Sequence, residues 1–272
     1  MRKYIYPIFT IVVIVGLYYA EQYVNRETEA YPDTSNERMK TSSEEFAGDW
    51  LPTSTTGTIV KHRYFTLSYD EEHEQAEWVA YPLLKSHLSS NDFKRPYFVE
   101  DRSVKTKSAD WRSYKNSGYD RGHLCPAGDR RFSKEAYHET FLTSNISPQN
   151  NDFNAGVWNK LEQQARYWAK KYNGVYVVTG PILRQGLPTI GIERVSVPDA
   201  FYKIIVDNSQ KKPKALAFII PNKETTHSFY DYVTTIDEVE KRTGIDFFSE
   251  MNNETERELE ASYNLKDWGR NK

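Results

Sequence analysis

Three patterns of apolar and polar residues divide the chain. From Tyr4 to Ala20 every residue is uncharged and most are apolar, behind the basic opening Met1-Arg2-Lys3. A short basic start before an apolar run reads as an export signal or a signal anchor. The run of 17 residues stands at the lower limit for crossing a bilayer as a helix. Tyr18, two before Ala20, sits where a cleavage site takes small residues, which argues weakly against cleavage there; anchoring and cleavage both stay open. Basic residues ahead of the run and none within it place the body outside the cytoplasm, exported and either tethered or released. Residues 21–58 are polar, rich in Ser, Thr, Glu and Asn, and lack periodicity, which predicts a flexible tether.

The remaining 59–272 predict one globular domain. Residues 64–69 and 76–82 are rich in aromatic and β-branched side chains and read as strands. Residues 175–179, 200–206 and 215–220 are near-continuous apolar runs and read as buried strands. Trp158, Leu161, Ala165 and Trp168 form one stripe at helical spacing and predict a helix from Val157 to about Tyr172. A second helix is predicted over 235–244, with acids early, bases late and Gly244 at its end. The tail 251–272 is charged and partly helical by pattern. The predicted class is α+β, a largely antiparallel sheet core with appended helices.

Composition narrows the chemistry. A single cysteine, Cys125, excludes an intrachain disulfide framework and a cysteine-built zinc site. The whole chain carries only -2, but charge is uneven: residues 94–131 hold ten Lys/Arg against five Asp/Glu, and 231–260 hold three against ten. A basic segment in a near-neutral protein suits an anionic substrate met on one face.

Within the basic segment lies Asp120-Arg121-Gly122-His123, followed by Asn154 and Glu162. A neutral imidazole such as His123 can take a proton from water near pH 7. Arg121 offers a planar fork of donors suited to phosphate. Asn154 offers a hard carbonyl oxygen, the type of ligand Mg²⁺ prefers. Glu162 lies eight residues further on, about 12 Å along a helix, too far for both to grip one ion directly. That spacing assigns Glu162 to the water shell of a metal held by Asn154.

These residues resemble the DNA/RNA non-specific endonucleases. The resemblance rests on Asp120–His123, Ser144-Asn145, Pro148-Gln149-Asn150, and Asn154 with Trp158, Leu161 and Glu162. It continues through Thr179-Gly180-Pro181, 197–203 and 240–248, so it covers roughly 60–250. It implies a ββα-metal site in which a β-hairpin carries the histidine and a following helix carries the ligands. It implies Mg²⁺, with Mn²⁺ as a substitute, and hydrolysis of DNA and RNA to 5′-phosphate ends. His123 would be the general base, Asn154 the metal ligand, Glu162 a metal and water-shell residue, and Asp120 an orienting group. Arg121 would line the site and, with Arg95 and Arg130, bind substrate. An upstream arginine would stabilise the transition state; Arg95 is the best match and Arg102 stays open. Family members are often dimers, so a homodimer is an expected assembly, and the N-terminal segment, if uncleaved, would add a membrane. A catalytically inactive binding module of the same fold is the alternative. An organellar nuclease ranks below both, because 4–20 lacks the Arg- and Ser-rich amphipathic character of a transit peptide.

Overall fold

Alternation along the apolar runs decides the architecture. The computed structural model describes residues 50–209 and 212–270, all within the unit Thr41–Lys272. The apolar stretch 4–20 and the tether up to residue 49 lie outside the described residues. The strands in chain order are β1 (Ile59–Lys61), β2 (Thr66–Asp70), β3 (Gln75–Leu84), β4 (Asp120–His123), β5 (Ile146–Gln149) and β6 (Gly174–Pro181). After them come β7 (Thr189–Ile190), β8 (Val195–Ser196), β9 (Ala200–Asp207), β10 (Lys214–Pro221) and β11 (Val233–Thr234). Seven of them form one antiparallel sheet in the order β1-β2-β3-β6-β9-β10-β11. The five strands expected from the sequence are all in it, each within two residues of its predicted ends.

Both faces of this sheet are covered, which is why its strands are apolar on both sides. Val79, Tyr81, Val177, Phe201 and Ile205 face one core; Trp78, Ala80, Val178, Tyr202 and Ile204 face the other. The helices are α1 (Lys134–Glu139), α2 (Asn151–Phe153), α3 (Asn159–Lys171), α4 (Ile236–Thr243) and α5 (Asn253–Glu260). On α3 the predicted stripe is the buried one: Leu161, Ala165 and Trp168 sit on the first core. On α4, Thr235 caps the start through Glu238 N–H, and Gly244 closes the end at φ 72°, the left-handed conformation that glycine adopts without a Cβ penalty. α4 and α5 cover the second core with Ile236, Val239 and Leu259. The class is α+β, as expected.

Two stretches depart from the sequence reading. Residues 50–58, assigned by composition to the flexible tether, are fixed to the domain. Trp50 packs on Phe248 and Tyr176, Trp78 Nε1 donates to Thr53 O at 2.9 Å, and Thr53 and Asp246 exchange hydrogen bonds. Thr55 and Ser68 both donate to the carboxylate of Glu77. A polar composition hides such a segment because its contacts are hydrogen bonds and carry no hydrophobic period. The tail also has a structural part: Trp268 is buried edge-on against Trp168 at 4.8 Å and Tyr172 at 5.5 Å, closing the outer end of the first core.

Replacing Trp268 with alanine should therefore cost about 3 kcal/mol in urea unfolding, the loss typical of a buried large aromatic. A cost near zero would show that the tail does not close the core.

Candidate active site

The Asp120–His123 strand pairs antiparallel with β5 in the register Asp120↔Gln149, Arg121↔Pro148, Gly122↔Ser147 and His123↔Ile146. This pair is anchored from below: Ser147 Oγ donates to Gln75 Oε1 of β3 at 2.6 Å, and the Asn145 side chain bonds both the N–H and the carbonyl of Cys125. Alternation along β4 puts Arg121 and His123 on one side and Asp120 and Gly122 on the other. The glycine is sterically required, because a Cβ at Gly122 would overlap the buried side chain of Gln149.

On the Arg121 side, an aromatic floor gathers the cations. The His123 ring lies 5.5 Å from Phe98 and 5.0 Å from Phe141. Arg95 stands over both phenyl rings at 5.6 Å, and Arg121 stands over Phe98 at 4.9 Å and Trp111 at 6.0 Å. Arg112 also lies over Trp111 at 5.2 Å, but its guanidinium is paired with Asp110 at 2.7 Å. Guanidinium groups over ring faces are held by the ring quadrupole while their edges stay open to an anion. Burial, with the Arg95 charge beside it, pushes the His123 imidazole down to about 3, so the ring is neutral at physiological pH. Its Nε2 is sealed and without a partner, which leaves Nδ1 as the nitrogen toward solvent. Arg95 thus stands beside the histidine, whereas Arg102 is exposed and takes no part in these contacts.

On the other side, Asp120 reaches the helix. Its Oδ1 accepts from Asn151 Nδ2 at 2.5 Å and its Oδ2 accepts from Asn154 Nδ2 at 2.9 Å. Asn150 caps α2 through the N–H groups of Asp152 and Phe153, and its own N–H donates to Asn222 Oδ1. Asn154 opens a π-helical turn, Asn154–Trp158, that joins α2 to α3, with Gly156 at φ −95°, ψ −106°. With its amide nitrogen given to Asp120, Asn154 presents Oδ1 as its remaining donor to a cation.

Glu162 sits in a buried charge cluster further along α3. Arg166 pairs with the buried Asp129 at 2.7 Å, Tyr81 donates to Asp129 at 2.9 Å, and the buried Lys203 donates to Thr179 and lies over Trp158 at 4.8 Å. Burial pushes Glu162 up to about 7, against the pull of Lys203 and Arg166. No hydrogen bond or ion pair joins Glu162 to Asn154 or His123 among the described residues, in keeping with their two-turn spacing.

One candidate is corrected. Arg130 cannot meet a substrate: it is 1% exposed, donates to the carbonyls of Asp129, Tyr64 and Pro82, and stacks over Tyr81 at 4.5 Å. Its charge was counted in the basic segment, but its place is inside the core. The sequence reading also missed Phe98 and Trp111, whose role needs tertiary contact to be visible. It missed the Asp129–Arg166 pair too, although Arg166 falls four residues after Glu162 on one helical face, a signal within reach.

The family model for DNA/RNA non-specific endonucleases matches residues 42–254. The chain belongs to this family. It is 36% identical over 205 residues to the mitochondrial nuclease EXOG of Xenopus laevis, covering 68% of this chain and 56% of that protein. It is 31% identical over 245 residues to the mitochondrial endonuclease G of Caenorhabditis elegans, covering 79% and 80%. The fold matches endonuclease G in the crystal structure of an EndoG/EndoGI complex, with a TM-score of 0.67 and 31% identity over 72% of this chain and 88% of that one. The chain spans somewhat over half the length of the EXOG relatives it matches. The exported location expected from residues 4–20 is corrected by these relatives. EXOG, the worm endonuclease G and a Saccharomyces cerevisiae nuclease are all named mitochondrial, the location that the sequence ranked lowest. Among the described residues, no helix is long and apolar enough to cross a membrane.

A Gly122→Ala variant of this family member should lose about 1–3 kcal/mol of stability through overpacking against Gln149. A thermal melt unchanged from the parent would show that the strand pair has slack beneath the glycine.

Proposed function

We propose that this chain is a metal-dependent endonuclease that hydrolyses DNA and RNA phosphodiesters to 5′-phosphate ends without reading base identity. The observation that carries the reading is the convergence on one short strand. His123, neutral, stands with Arg95 and Arg121 on an aromatic floor, while Asp120 of the same strand fixes the amide of Asn154.

His123 Nδ1 accepts a proton from the attacking water as its oxygen bonds to phosphorus and the bond to the 3′-oxygen breaks. For this the ring carries its own proton on Nε2. The anionic phosphate beside the ring raises its proton affinity above the substrate-free value and offsets the effect of Arg95. Arg95 and Arg121 bind non-bridging oxygens and stabilise the charge that develops on them. Guanidinium contacts to phosphate carry no sequence information, which fits a lack of sequence preference.

The donor set suits a hard divalent cation. Asn154 Oδ1 would be the direct ligand, and the carboxylate of Glu162 would hold the water around the ion. A bound Mg²⁺, or Mn²⁺ in its place, supplies charge neutralisation at the phosphoryl oxygens and the leaving 3′-oxygen. A nearby cation also favours the ionised form of Glu162, whose burial otherwise favours the acid.

His123→Ala should abolish cleavage of plasmid and RNA while the circular dichroism spectrum is kept; nucleic-acid binding without turnover in the parent protein would instead identify a non-catalytic module. Cleavage should stop in EDTA and return with Mg²⁺ or Mn²⁺, and persistence in EDTA would remove Asn154 from the mechanism. Stability of the metal-free protein should fall as pH drops from 6.5 toward 3. In that window the unfolded chain protonates His123 while the folded ring, held at about 3, does not. Urea titrations of His123→Ala should show a shallower fall, and an identical slope would place the ring in ordinary contact with solvent.

A further inference from the structure

The acidic segment 231–260 has no part in phosphodiester hydrolysis, and it folds into α4 and α5 on the sheet face opposite α3. There Asp237, Glu240 and Glu260 each bring one carboxylate oxygen to within 4.8 Å of the others. Glu260 is only 7% exposed, and its Oε1 is sealed from solvent without a hydrogen-bond partner. Glu240 gives one oxygen to the N–H of Phe247 at 2.8 Å, which leaves the other for the cluster. The basic residues of α4 do not neutralise the group, because Lys241 and Arg242 both pair with Glu238.

An unpartnered carboxylate sealed against two others is costly unless something positive or a shared proton joins them. Three further features sharpen the demand. Glu260 is the last residue of α5, where the helix dipole disfavours an anion and favours a cation. Glu256 stands one turn before it as a like charge. Asp246 adds to the field, and burial among these groups pushes Glu260 up to about 8. The donors are all hard carboxylate oxygens, on two helices, with Asp237 at the exposed edge where an ion and its waters can enter.

We infer that Asp237, Glu240 and Glu260 form a structural site for a divalent cation of the Ca²⁺ class that clamps α5 to α4, separate from the catalytic centre. Ca²⁺ suits the site better than Mg²⁺ because it accepts irregular oxygen sets drawn from flexible side chains.

The test uses the full chain with Asn154→Ala as parent, so that the catalytic ligand is absent and the two sites are read apart. After EDTA treatment and dialysis, thermal unfolding is followed with and without CaCl₂. A millimolar-range site should raise Tm by about 3 °C at about 5 mM Ca²⁺. The rise should vanish in both Asn154→Ala/Glu260→Gln and Asn154→Ala/Asp237→Asn; the second substitution, at an exposed edge, leaves the core intact. No rise in the parent, or an equal rise in the two acid variants, overturns the site. A Glu260→Gln variant that is more stable than a Ca²⁺-insensitive parent overturns it too, and identifies a shared proton as the partner.

Discussion

Asp120 divides its carboxylate between two amides, and much of the site depends on that division. One oxygen holds Asn151 at the start of the helix; the other holds Asn154 at the start of the π-helical turn. The strand that carries Asp120 also carries Arg121 and His123. A single side chain thus couples the position of the proposed base to that of the proposed metal ligand. The coupling is rigid because both partners are fixed elsewhere: the strand through Ser147 and Asn145, and the helix through Asn150 and Asn222.

Around this link the charges are sorted by environment. On the Arg121 side, Arg95 and Arg121 lie over ring faces, and burial, with the Arg95 charge beside it, depresses the proton affinity of His123. Along α3, the half-buried Glu162 lies in the field of Lys203, Asp129 and Arg166, the last two of which pair with each other. Across the sheet, an acidic surface formed by α4 and α5 faces away from any polyanion bound at the basic side. A near-neutral net charge conceals this division, which explains why the total of -2 is uninformative while its local distribution is not.

Most of the sheet was legible because its strands are covered on both faces and therefore appear as apolar runs. The helices α3 and α4 were legible from a stripe and from caps. His123, Arg121 and Asn154 stood out as candidates by residue type, and their grouping came from the family resemblance. What escaped had no local signature. The hydrogen-bonded segment 50–58 looked like a tether because polar contacts across 193 residues leave no period. Arg130 looked like a phosphate ligand because a sequence shows charge and not burial. Phe98 and Trp111 looked like ordinary aromatics, since only the fold brings their faces beneath arginines. The turn at Asn154 was not read because the apolar stripe that marks the helix begins only at Trp158.

The proposed hydrolysis needs a cation held at Asn154 Oδ1. Anomalous diffraction from crystals of the protein grown with Mn²⁺ addresses this directly. A peak within bonding distance of Asn154 Oδ1, with its water shell reaching Glu162, is the predicted result. A fully occupied ion elsewhere and none at Asn154, in crystals whose protein cleaves DNA, would contradict it.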